Sequence, residues 1–219
     1  MISAATQSAA SHSERPASQR RRQRVLVVDD HAAVRSGLRQ LLADEDDFEV
    51  VAAVATAEDA LTVAETMPVD VAVVDYQLRG RNGLWVSRKL KRLPRPPAVL
   101  IYSAYTDGVL AAAAVVAEAN GIVSKGGLGS ELTAAIRAVA QGRQVLPPLP
   151  AWLADALRRR LDHEEQAIFG MLLAGLEPVE IAQTLGLSAA GLESRLWGML
   201  RCLEGRKTEP LEDRSGGPR

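Results

Sequence analysis

A single cysteine, Cys202, stands in 219 residues, which excludes an intrachain disulfide framework and fits a reducing compartment. No apolar run reaches the roughly 18 residues that a membrane-spanning helix needs. The N-terminal stretch has no apolar core segment, so it does not read as a secretory signal. Lysine is scarce: Lys89, Lys91, Lys125 and Lys207 are all there are. With 26 Lys and Arg against 27 Asp and Glu, the formal net charge is −1, which argues against a chain that coats nucleic acid but permits a local basic patch. No Ser/His/Asp arrangement, phosphate-cradling GxxxxGK loop or zinc-ligand spacing occurs, and His12 and His163 are isolated.

What the chain does have is core material. Hydrophobic residues make up 47%, ample for one or two domains at this length. Residues 1–23 are Ser/Ala-rich and run into the basic stretch from Arg20 to Arg24; they read as a solvated tail, with an Arg-rich, acid-poor transit segment as the other reading. Residues 206–219 are polar and carry Pro and Gly, and read as a flexible tail. Between them, apolar runs of strand length alternate with helical patterns. Strands are predicted over 24–29, 48–54, 69–75, 98–104 and 121–125. Helices are predicted over 32–44, 57–67, 83–93, 106–119 and 129–142, the fourth capped by Thr106. The first helix places Val34, Leu38, Leu41 and Leu42 on one face.

Five such units in about 120 residues predict a doubly wound α/β fold: a five-stranded parallel sheet with helices on both faces. Continuous rather than alternating apolar strands support burial on both sides. Right-handed crossovers then place every strand's C-terminal end on one rim, where ligands bind in such folds. Asp29 and Asp30 end the first strand, Asp75 the third, Ser103 lies near the end of the fourth and Lys125 ends the fifth. Three carboxylates together are costly unless a cation sits among them. Aspartate oxygens suit a hard divalent ion, magnesium above all.

With these residues in order, the stretch 24–142 resembles the flavodoxin-like receiver domain of two-component response regulators. The motifs that carry the resemblance are Asp29-Asp30, Asp75 in VVDYQLRGRNG, Ser103 followed by Ala104, and Lys125 in GIVSK. The resemblance implies that Asp75 accepts a phosphoryl group from a histidine kinase. It implies that Asp30 binds Mg2+ directly, Asp29 mainly through water, and that the Gln77 backbone carbonyl completes the ligands. Ser103 would hydrogen-bond the phosphoryl group, Ala104 would leave room for it, and Gln77 and Tyr105 would tune its lifetime. His31 starts the first helix and is not assigned as a ligand. Two positions depart from the family: Ile122 stands where an aromatic switch residue is usual, and Arg79 where proline is frequent. Isoleucine has no polar tip to swing between states.

Pro147, Pro148 and Pro150 mark a stiff linker, and 151–160 could add a linker helix, so that 143–160 joins two domains. Residues 161–205 read as a small all-α domain with helices over 163–174, 178–185 and 189–203, Gly186 between the last two. Asp162 and Ser188 are its cap candidates. Ile168, Met171, Leu172, Ile181, Leu185, Leu192, Leu196, Met199 and Leu203 are its candidate core, and Cys202 is expected to be buried. This stretch resembles the LuxR/NarL-type helix-turn-helix domain. The resemblance makes 188–202 a DNA-recognition helix, with Ser188, Gly191, Leu192, Glu193 and Arg195 as candidate contacts, and a homodimer as the phosphorylated form.

The charges do not follow the family. Glu193 stands where a basic residue is common, and from Ala151 to Gly205 eight acids face five bases. Pro210 and the Gly/Pro-rich tail speak against a fourth helix. Sequence-specific DNA binding with transcription control therefore stands beside two alternatives: a helix-turn-helix module that binds a protein partner, and a receiver that only absorbs phosphate. Trp197 is either core or an interface anchor. The expected setting is bacterial and cytoplasmic, with no membrane contact.

Overall fold

The computed structural model describes residues 21–150, 152, 153, 157 and 161–204. The expected linker helix over 151–160, residues 1–20 of the N-terminal tail and the whole C-terminal tail fall largely or wholly outside them. β1 (Gln23–Val28), β2 (Phe48–Val54), β3 (Val71–Asp75), β4 (Ala98–Ser103) and β5 (Gly121–Ser124) form one sheet in the order β2-β1-β3-β4-β5. Every neighbouring pair is parallel. The order reverses between β1 and β3, which opens a crevice at their C-terminal ends.

Alternate strand residues feed two cores, because successive side chains point to opposite faces. Val25, Val27, Val71, Val73 and Leu100 pack with Leu38 and Leu42 of α1 (Ala32–Ala43) and Leu132 and Ile136 of α5 (Gly129–Ala140). Leu26, Val28, Ala72, Val74, Val99 and Ile101 face the other side, under α2 (Ala57–Thr66), α3 (Gly83–Leu90) and α4 (Gly108–Val116). Side-chain caps set three of these helix starts: Thr56 accepts from the Asp59 amide, Asn82 from Trp85 and Asp107 from Leu110.

The fourth helix corrects the expected bounds. Asp107, not Thr106, caps it, since its carboxylate reaches the Leu110 amide at 2.8 Å. It ends at Val116 because Glu118 takes a left-handed backbone, φ 57°, and turns the chain. Amides of Glu118 and Ala119 then bond back to the Val115 and Ala114 carbonyls at 3.0 and 2.9 Å, closing the helix end.

Three helices follow: α6 (His163–Leu173), α7 (Pro178–Leu185) and α8 (Ala189–Glu204). Asp162 and Glu165 cap α6 reciprocally. Gly186, at φ 65°, makes the left-handed turn out of α7, and the Ser188 hydroxyl accepts from the Gly191 amide at 3.0 Å. Ile168, Ile181, Leu192, Leu196, Met199 and Leu203 are buried, with Met171, Leu172 and Leu185 packed at the margin. Cys202 corrects the expected burial: it is exposed, because the inward face of α8 turns through Met199, Leu200 and Leu203 and leaves positions 201 and 202 outside.

These helices do not stand apart from the sheet domain. α4 packs against α8 and α6, and one apolar cluster runs from the sheet through Ala111, Ala112 and Val116 to Leu153, Leu192 and Leu196. A helix that is apolar all round must be covered on all sides. Among the described residues no helix is long and apolar enough to cross a membrane.

Gly83 positions the end of β3. Its amide donates to the Tyr76 carbonyl at 2.9 Å, and a methyl group there would run into the Asp75 carbonyl oxygen. Gly83→Ala is expected to lower unfolding stability by about 1–3 kcal/mol. In urea denaturation this reads as a lower midpoint with an unchanged slope.

Candidate functional site

β1 and β3 end side by side, so Asp29, Asp30 and Asp75 meet at one crevice. Ligand atoms of Asp29, Asp30, His31 and Asp75 all lie within 4.8 Å of one another. Asp29 and Asp75 are buried, at 1% and 3% exposure. Lys125, from the end of β5, reaches in between them: its Nζ is 2.7 Å from Asp29 Oδ2 and 2.9 Å from Asp75 Oδ2. Asp29 Oδ1 accepts the His31 amide at 2.8 Å, and Asp75 Oδ1 accepts the Gln77 amide at 3.0 Å.

The charge balance is uneven. Burial pushes the Asp75 carboxyl above its ordinary range, against the pull of the Lys125 ammonium and the Gln77 amide, and Asp29 adds to the rise. Burial also opposes the charge of Lys125, but the two aspartates override it and hold the ammonium above its usual value. Two carboxylate oxygens in this cluster, Asp30 Oδ1 and Asp75 Oδ2, are buried and accept no hydrogen bond from the described residues. Lys125 meets the second by charge and not in hydrogen-bond geometry; His31 Nδ1 lies 2.7 Å from the first. Carboxylate oxygens gathered this closely fit a hard cation. The group could hold a metal ion, and a ring nitrogen of His31, not assigned as a ligand from the sequence, lies within it.

The remaining rim residues fall around this cluster. Ser103 is buried, and its hydroxyl accepts the Tyr105 amide at 3.1 Å, which leaves its proton free to donate. Ala104 is exposed. Ile122 is 7% exposed and belongs to the apolar cluster that contains α4. Arg79, exposed in the loop after β3, places Nε 3.2 Å from Asp30 Oδ2.

The five residues singled out on the last helix have other partners in this arrangement. Ser188 caps the turn. Gly191 is half-buried and Leu192 is buried in the core. Arg195 pairs with Asp162, 2.6 Å away, and with Glu164. Glu193 reaches out of its own domain to Arg88 and Arg92 of the α3 region. Trp197 lies over the same place, its ring centroid 5.8 Å from the Arg88 guanidinium. The sequence reading missed Arg88, Arg92 and Glu118. The available signal was α4, whose LAAAAVV stretch is apolar on every side and requires a covering partner.

A family model, the response regulator receiver domain, matches residues 25–137. The chain is 30% identical over 185 residues to the response regulator UvrY of Escherichia coli K12, covering 80% of this chain and 85% of UvrY. It is 33% identical over 177 residues to the DNA-binding transcriptional activator DevR/DosR of Mycobacterium tuberculosis H37Rv, covering 75% and 81%. Among solved structures, a LuxR-family two-component response regulator from Aurantimonas superposes with a TM-score of 0.55 at 30% identity. That match covers 64% of this chain and 99% of the other.

A carboxyl raised on folding costs stability once it ionises: its contribution is harmless below the unfolded value near 3.8 and is lost as pH rises toward the folded one. Asp75→Asn removes that buried charge. Thermal melts are expected to show the variant more stable than the parent at pH 7, with the difference shrinking as pH falls through 4.

Proposed function

The chain belongs to the response-regulator family, and on that premise we propose that it is a two-component regulator switched by phosphorylation of Asp75, with sequence-specific DNA binding and transcription control as its output. Residues 24–142 form the receiver and 161–205 the output domain, joined by 143–160. The partner that delivers the phosphoryl group is a histidine kinase. The observation that carries the reading is Asp75 itself: a buried carboxylate at the end of β3, within 2.9 Å of Lys125 and beside the acidic pair Asp29 and Asp30.

A carboxylate oxygen of Asp75 attacks the phosphorus of a phosphohistidine. The P–N bond breaks, its electron pair returns to the imidazole nitrogen, and an acyl phosphate forms. Asp30, Asp75 and the Gln77 carbonyl would hold Mg2+ directly and Asp29 through water, and the ion supplies positive charge to the transferring oxygens. Lys125 neutralises a second phosphoryl oxygen from the other side. The Ser103 hydroxyl donates to a third, and Ala104 leaves space for that approach.

Ile122 has no polar tip, so the signal passes from Ser103 through packing. It lies in the same apolar cluster as α4 and α8, which gives the site a continuous route to the output helix. Phosphorylation then shifts the population from a docked to an undocked output domain and favours a homodimer. A lone cysteine and the absence of a membrane-length helix among the described residues support a cytoplasmic setting.

A small-molecule phosphodonor with Mg2+ is expected to label the chain with an acid-stable, base-labile adduct. Chelation of the metal or Asp75→Asn should abolish the label, and labelling that persists in that variant would defeat the assignment. For output, binding of the phosphorylated chain to random-sequence DNA should weaken with salt by about 0.9 in log K per phosphate contact, per unit log of salt. A flat salt response would overturn the DNA reading and point to a protein partner.

A further inference from the structure

The two domains meet through charge as well as through apolar packing. Arg88 is fully buried beneath α8 and pairs with Glu118 of its own domain and with Glu193 of the output domain. Arg92, about one helical turn on, stands 2.7 Å from Glu118 Oε1 and 2.6 Å from Glu193 Oε2. Two cations thus share two carboxylates, one from each side of the interface. Trp197 covers the group, with Lys89 Nζ 5.9 Å from its ring centroid. Burial works against the charge on Arg88, and Arg88 Nε has no hydrogen-bond partner among the described residues.

Glu118 is at the position after a helix where glycine costs least. At φ 57° a side chain with a Cβ is strained by roughly 1 kcal/mol. Its carboxylate, not its backbone, is what the arrangement uses, because it contacts both arginines. We infer that Glu118 is a competing counter-ion that sets how tightly Glu193 holds the output domain on the receiver.

The sign follows from the charges. When docked, the four groups sum to zero. When undocked, the receiver side keeps two cations and one carboxylate, and Glu193 leaves as a single negative charge. Glu193 is therefore drawn to a net charge of +1. Without Glu118 it would be drawn to +2, and the repulsion between the two carboxylates would vanish as well. Glu118 also keeps Arg88 paired after Glu193 departs, so undocking does not leave that cation unmatched. The same Glu193 that fastens the closed form repels DNA phosphate at the recognition helix, so one side chain opposes DNA engagement in both states. This inference rests on the proposed docked-to-undocked switch.

The test uses the full, unphosphorylated chain and reads docking without DNA or phosphate. Hydrogen exchange at the α4 amides, which α8 covers, reports opening, and small-angle scattering reports the radius of gyration. Glu193→Gln should speed α4 exchange several-fold and enlarge the particle. Glu118→Gln should slow exchange several-fold and require more salt to reach the parent's opening. Glu118→Gly, which also relieves the backbone strain, should do the same. If the Glu118 variants open the protein as Glu193→Gln does, Glu118 is adhesive and the inference is wrong. Unchanged exchange in Glu193→Gln overturns it equally, as does failure of both Glu118 variants to fold. A phosphorylated parent that stays closed while the variants behave as stated would instead sink the proposed switch.

Discussion

Like charges gathered in a buried place are the constraint on which this structure turns. Asp29, Asp30 and Asp75 converge because parallel strands with right-handed crossovers end on one rim. Their mutual repulsion is offset by Lys125, which sits between the two most buried of them. The offset is partial: Asp75 remains pushed toward protonation, and two carboxylate oxygens accept no hydrogen bond from the described residues. A centre left short of positive charge fits a hard cation. On the proposed function, an acyl phosphate on Asp75 would place new anionic oxygens within reach of Ser103 and Lys125.

The same problem with opposite sign recurs at the domain interface. There, buried cations are matched by carboxylates from two domains. Between the two charged centres lies α4, buried on nearly all sides, with the Ser103 loop running into its N-terminus and Glu118 just past its C-terminus. Close-packed interiors have low compressibility and transmit strain. On the proposed switch, a small movement at Ser103 would reach the Arg88–Glu193 contact through the packing of α4. That layout suits a chain with isoleucine at position 122, which has no swinging polar tip.

Much of this was legible in the residue order. Continuous apolar runs of strand length, broken by helical patterns, pointed to the five units and the sheet, because burial on both faces forces such runs. The rim residues were legible for the same topological reason. Helix ends were less so: Thr106 and Asp107 are both good caps, and only the path of the chain decides which carboxylate or hydroxyl meets an amide. Cys202 looked inward on a three-helix reading, yet the buried face of α8 runs through Met199, Leu200 and Leu203 and leaves it outside.

Glu193 marks the division most clearly. Its charge at a recognition-helix position was evident from the sequence, and so was the shortage of bases around it. That it pairs with Arg88 and Arg92 was not, since those partners lie about a hundred residues earlier and the pairing depends on how two domains dock. Local patterning fixes strands, helices and the rim they share, because backbone geometry and burial act over short stretches of chain. Docking, helix rotation and the sharing of counter-ions are decided by long-range packing, which balances desolvation against pairing only once the whole surface is assembled.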